Sequence, residues 1–106
     1  MGIFDFWKQP DINGGVEDFR KASGAVLVDV RTPEEYREGH IVGSRNIPLQ
    51  QLEEITAVAE NKETALYVYC RSGGRSRQAA ALLQRMGYSN VRNIGGIAAY
   101  SGILER

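Results

Sequence analysis

Cys70 is the only cysteine among 106 residues, and it heads the run Arg71-Ser72-Gly73-Gly74-Arg75-Ser76. An apolar β-branched and aromatic stretch, Ala65-Leu66-Tyr67-Val68-Tyr69, leads into it. An Ala- and Leu-rich segment of helical character follows. A strand, a glycine-bearing turn and a helix start therefore meet at one thiol. Backbone N–H groups at a helix start are unpaired and converge, and the helix dipole adds about half a positive charge there. Arg71 and Arg75 add two full charges. In such a field the usual cysteine pKa of about 8.5 falls to roughly 3.5–7.5, so Cys70 is expected to be a thiolate at neutral pH. A lone cysteine is more commonly a small buried residue. The six residues after Cys70 are small, polar or cationic, which is no composition for a core, and the nucleophile reading is preferred.

The elements that must position this thiol can be read along the chain. Val16–Lys21 reads as a short helix after a turn bracketed by Pro10 and Gly14-Gly15. Residues 25–30, Ala-Val-Leu-Val-Asp-Val, form a nearly continuous apolar strand of the kind found in parallel sheets. Thr32-Pro33-Glu34-Glu35 is a helix start with an N-cap, Pro at the first helical position and Glu three residues after the cap, and Gly39 ends that helix. Ser44–Ile47 is a short strand closed by Pro48. Gln51–Glu60 reads as an amphipathic helix with Leu52, Ile55 and Ala59 on one side. After the Cys70 strand come a helix over Arg75–Met86, a strand over Val91–Ile94, Gly95-Gly96, and a terminal helix over Ile97–Leu104. Four alternations of strand and helix predict an α/β fold: a small parallel sheet of four to five strands with helices on both faces. Ligands of such sheets bind beyond the carboxyl ends of the strands, where Cys70 and the Asp29–Arg31 pair both stand.

Length and composition suit one domain, with residues 1–11 as a lead whose Phe4, Phe6 and Trp7 are expected to dock on the domain proper over 12–106. No run approaches the roughly 20 apolar residues of a membrane helix. The N-terminus lacks the pattern of a signal peptide, and a single cysteine makes no internal disulfide, so a cytoplasmic setting is expected. One cysteine also leaves no internal resolving thiol, so a covalent adduct on Cys70 must be discharged from outside. Net charge is zero, yet Thr64–Leu104 holds five arginines and no Asp or Glu. That one-signed half predicts a small anionic partner. Arg71 and Arg75 are read as facing it, Arg85 and Arg92 as surface charge. The arginines are too few and scattered for nucleic acid. One Cys and one His, far apart, give too few metal ligands, and Gly73-Gly74-Arg75-Ser76 lacks the pattern of a nucleotide-binding loop.

Four segments in order resemble the rhodanese-like sulfurtransferase domains: Leu27-Val28-Asp29-Val30-Arg31, then Glu38-Gly39-His40-Ile41 through Gly43 to Asn46-Ile47-Pro48, the loop from Cys70 to Arg75, and Gly95-Gly96-Ile97 with Tyr100. The resemblance spans about residues 12–104. Tyr100 departs from the Trp often found there. The resemblance implies an enzyme that carries sulfane sulfur as a persulfide on Cys70, taking it from thiosulfate or a persulfide and passing it to cyanide or to a thiol, small or on a protein. It implies that the amides of Arg71, Ser72, Gly73, Gly74, Arg75 and Ser76 cradle the outer sulfur. No cofactor and no membrane partner are expected.

A thiol already ionised needs no general base, so His40 is read as a structural residue. Asp29 and Arg31 alternate along the strand end, on the face opposite Val28 and Val30. Asp29 has two readings: a carboxylate that accepts from Arg71 and fixes the loop, or an ordinary cap or turn contact. The enzymatic rival is a cysteine phosphatase or arsenate reductase, whose loops place five residues between Cys and Arg. Here four intervene before Arg75, which favours sulfur transfer. The rival of another class is a non-catalytic or partner-dependent carrier module, and the presence of Cys70 with both arginines weighs against its inert form.

Overall fold

The structure is a computed structural model and describes residues 10–106. The expected docking of Phe4, Phe6 and Trp7 lies outside the described residues. Helix α1 (Ile12–Lys21) is capped by the Asp11 side chain, which accepts from Asn13 N. Strand β1 (Val26–Asp29), helix α2 (Pro33–Glu38) and the short strands β2 (His40–Ile41) and β3 (Ser44–Asn46) follow. A 3₁₀ segment over Leu49–Glu54 runs into helix α3 (Ile55–Val58), then strand β4 (Leu66–Cys70), helix α4 (Gly74–Arg85) and strand β5 (Val91–Gly96). A 3₁₀ turn over Ile97–Ala99 and strand β6 (Leu104–Glu105) complete the chain.

The main sheet has four strands in the order β3-β1-β4-β5, all pairs parallel. Alternating side chains feed two cores. Val28, Val30, Val68 and Cys70 pack with Ile55, Ala79 and Leu83 of α3 and α4 on one face. Leu27, Tyr69 and Ile94 pack with Ile12 and Val16 of α1 on the other. The expected α/β sheet with helices on both faces is therefore present. The Thr32–Glu35 capping box is also formed in both directions.

Three expectations are corrected. First, α1 begins at Ile12 and runs through Gly14 and Gly15 instead of turning there. Gly15 is buried, and a Cβ on it would strike the Ile94 side chain, so this glycine serves close packing and not a turn. Second, the helix expected over Gln51–Glu60 is a 3₁₀ segment kinked at Gln51 and one short α-helical turn. Leu52, Ile55 and Ala59 are buried as expected, but the first two lie three residues apart, a spacing a 3₁₀ helix satisfies as well as an α-helix does. Third, the terminal helix stops at Ala99. Asn13 takes the groups a helix would use: its Nδ2 donates to Ala99 O (3.1 Å) and its Oδ1 accepts from Ser101 N (2.9 Å). The chain then leaves to pair β6 antiparallel with β2, a two-stranded sheet that no pattern in such short strands announces.

Gly15 yields a test in which two effects oppose. Alanine is favoured over glycine in a helix interior by about 1 kcal/mol. Overpacking a rigid core costs about 1–3 kcal/mol. Gly15→Ala is expected to lower stability in urea unfolding, and combining it with Ile94→Val should recover part of the loss.

Candidate functional site

Cys70 is the last residue of β4 and is 1% exposed. Gly73 follows as the N-cap of α4 in the left-handed region (φ 109°), a conformation that glycine adopts without strain. That turn brings Gly73 N to 3.0 Å from Cys70 Sγ, to which it donates. Burial pushes the thiol pKa up. The Ser76 hydroxyl and the backbone N–H groups of Ser76, Gly73 and Ser72 outweigh it, and the net shift is downward. The single Ser76 hydroxyl proton has its shortest acceptor in Asn93 Oδ1 (2.7 Å), so the backbone amides are the steadier support of the thiolate.

The loop is held from below by β5. A bulge at Val68/Tyr69 shifts the register so that Gly95 pairs with Tyr69 and Gly96 with Cys70. A Cβ on Gly96 would run into the Arg71 carbonyl and Ser72 Cα, so the loop backbone lies directly on this glycine. The Arg71 carbonyl accepts from Ala98 N (3.1 Å), and Asn93 Oδ1 accepts from both Gly95 N (3.0 Å) and Ser76 Oγ. Strand, loop and helix start form one hydrogen-bonded unit.

The charges around the loop separate into two sets. Arg75, expected to face a ligand, instead turns its guanidinium to α2 and donates to both Glu35 oxygens (2.7 and 3.0 Å). Glu35 is placed to receive it by its own capping box with Thr32. The Arg75 bonds lower the Glu35 pKa to about 2, against burial that raises it and with help from Thr32. Arg71 stays exposed beside the loop and lines an open cavity of about 570 Å³. Arg77, counted among the five arginines but assigned no role from sequence, lines it too.

The contact expected between Asp29 and Arg71 is absent, and the turn reading of Asp29 is nearer to what is found. Asp29 is 0% exposed and lies on the face of Leu27 and Tyr69, opposite to that of Cys70. Its Oδ1 accepts from Arg31 N and Nε (2.9 and 3.0 Å), and its Oδ2 from Nε and NH2 of the same arginine (3.0 and 2.7 Å). Arg31 then donates from NH2 to the Gly39 carbonyl (2.7 Å), fixing the end of α2. The pair supports the scaffold and leaves the loop to β5. His40 stacks on Tyr36 (3.7 Å between centroids), donates from Nδ1 to Tyr36 O (2.8 Å) and places Nε2 3.3 Å from Glu105. Among the described residues no cluster of His, Cys, Asp and Glu suits a metal ion. No helix among them is long and apolar enough to cross a membrane.

The model of the rhodanese-like domain family matches residues 13–102. This chain belongs to that family. It is 44% identical to the thiosulfate sulfurtransferase PspE of Escherichia coli over 71 residues, 66% of this chain and 68% of that protein. It is 39% identical to the uncharacterised YqhL of Bacillus subtilis over 91 residues, 84% of this chain and 71% of that protein. Among solved structures, a rhodanese with anions from E. coli superposes with a TM-score of 0.73 at 36% identity, covering 77% of this chain and 98% of that one. A human single-domain sulfurtransferase superposes with a TM-score of 0.71 at 28% identity, covering 87% and 95%. The rhodanese-like fold accounts for the strand-loop-helix junction at Cys70, while the partners of Arg75, Asp29 and Asn93 are read from this chain's own contacts.

Two measurements check this geometry. The rate of Cys70 alkylation by iodoacetamide against pH should have its midpoint below that of an ordinary thiol, about 8.5. A midpoint at or above that value would contradict the amide support. Glu35→Gln should destabilise the protein at neutral pH. Because the folded-state pKa of Glu35 lies below its usual 4.5, the ion pair's contribution is present above that value and fades as pH falls toward about 2. The gap between wild type and Glu35→Gln in urea unfolding should therefore be constant near pH 7 and narrow below pH 4.5.

Proposed function

We propose that this chain is a sulfurtransferase that carries sulfane sulfur as a persulfide on Cys70, taken from thiosulfate or a persulfide donor and passed to cyanide or a thiol. The observation that carries this reading is the Gly73 N–H held 3.0 Å from Cys70 Sγ at the start of α4, with the amides of Ser72 and Ser76 also favouring the thiolate. The names of the relatives support it. The working unit is residues 12–106.

In the loading step the Cys70 thiolate attacks the outer sulfur of thiosulfate. The new Sγ–S bond forms as the S–S bond of the donor breaks, and its electron pair leaves with sulfite. No proton moves, because nucleophile and product are both anions. The persulfide's outer sulfur then carries the negative charge, and the loop amides from Arg71 to Ser76 face it as fixed donors, a preorganised stabilisation of the kind that dominates many enzymatic barriers. In the discharge step an acceptor thiolate, its proton already lost to solvent, attacks that outer sulfur. The S–S bond to Cys70 breaks and the thiolate is restored. Arg71 attracts the anionic donor from the mouth of the loop.

Sulfur transfer is favoured over phosphate hydrolysis by the commitment of Arg75 to Glu35. A phosphatase needs an arginine over the loop, and here that guanidinium is committed to Glu35. The test is sulfite release from thiosulfate with cyanide or dithiothreitol as acceptor, beside hydrolysis of an aryl phosphate. Wild type should release sulfite, Cys70→Ser should fall to background, and neither should hydrolyse the phosphate. Phosphate release that depends on Cys70, without sulfite release, would overturn the reading.

A further inference from the structure

The cavity beside the loop is larger than the donor requires. About 570 Å³ lies within the range of pockets that hold small organic ligands, about 300–1,000 Å³, whereas thiosulfate has five atoms. Its walls are the loop from Arg71 to Gly74, the floor at Gly95-Gly96, and Arg77. Among the described residues no Asp or Glu lines it.

The pitch of α4 decides which arginines face this space. Arg77 lies three and four residues beyond Gly74 and Gly73, on the same helix face, so it stands one turn above the loop. Its own N–H donates to the Gly73 carbonyl (3.0 Å). Arg75, two residues earlier, points away to Glu35. Arg92 pairs with Asp18 (2.7 Å). Among the described residues neither Arg71 nor Arg77 makes a salt bridge, and both border the same cavity. Two arginines that line one concave space, with no carboxylate among its described lining residues, concentrate the field there.

We propose that Arg77, together with Arg71, forms an anion subsite in this cavity that reads a carboxylate on the sulfur acceptor, away from its thiol. The physiological acceptor is then an anionic organic thiol of peptide size and not a neutral one. The thiolate attacks the outer sulfur of the Cys70 persulfide while its carboxylate sits between the two guanidiniums. The S–S bond to Cys70 breaks, its electron pair returns to Cys70 Sγ, and the acceptor leaves as a persulfide. Arg77 takes no part in the bond changes. It sets which acceptor is held in line. This inference rests on the sulfurtransferase reading above.

A matched acceptor pair tests it: N-acetyl-Cys-Gly-Gly with a free C-terminal carboxylate, and the same peptide amidated. The thiols are alike and only the remote charge differs. Wild type should show a kcat/KM about tenfold higher for the carboxylate form, the size expected for one charge-assisted contact. That preference should shrink as salt is raised from 0.05 to 0.5 M, by ordinary screening. In Arg77→Gln the carboxylate-to-amide ratio should fall toward one, and in Arg77→Glu it should invert. Equal kcat/KM for the two peptides in wild type would overturn the subsite without recourse to any variant. A wild-type preference that survives in Arg77→Gln would overturn the role of Arg77. Sulfite release in the loading step is followed in the same assays. Its absence from wild type would refute the sulfurtransferase reading itself, whereas its presence beside a charge-blind acceptor profile would refute this proposal alone.

Discussion

The site depends on the close approach of two backbones. The loop after Cys70 lies on Gly96, near enough that a single methyl group there would collide with the Arg71 carbonyl and Ser72 Cα. That approach requires the β5 bulge, which brings Gly96 opposite Cys70 in the sheet. It also requires Asn93, whose side-chain oxygen ties Gly95 to Ser76. With these contacts made, the turn at Gly73 is fixed, α4 starts where it does, and its unpaired N–H groups converge on sulfur. The lowered thiol pKa follows from that convergence, which overcomes the cost of burying an anion.

Charge is sorted by the same architecture. The sequence supplies an arginine-rich, carboxylate-free half, but proximity in sequence does not decide which arginines are available. Glu35 removes Arg75 from the loop and couples α2 to α4 instead. Asp29 and Arg31 form a buried pair that closes on Gly39, and breaking such a pair leaves an uncompensated charge in the interior. Arg71 and Arg77 remain at the cavity. Neutral amides at the Cys70 thiol, with cations set back at the rim, keep the support of the thiolate separate from the charge at the cavity mouth.

Much of this was legible in the residues. The unbroken Val26–Asp29 and Leu66–Cys70 runs identify central parallel strands because both of their faces are buried. Thr32-Pro33 with Glu35 defines a helix start to the residue. The Cys70 loop stands out because its small, polar and cationic residues do not suit a core. Other features were not legible. The bidentate bond between Glu35 and Arg75 joins residues 40 apart, and nothing in either segment names the other. Asp29 seemed free to reach Arg71 because sequence gives the face of a strand residue but not its partner two positions on. The C-terminal helix failed because Asn13, at the far end of the chain, competes for its backbone groups. Arg77 carried a local signal in its helical spacing from Gly73 and Gly74, but only the cavity gives that spacing a meaning.

The central claim is that Cys70 itself carries the sulfur, and intact-protein mass spectrometry addresses it directly. After incubation with thiosulfate and removal of excess donor, one added sulfur atom per chain is expected, released by dithiothreitol and absent from Cys70→Ser. An unmodified mass with thiosulfate and with persulfide donors alike, or an adduct that persists in Cys70→Ser, would contradict it.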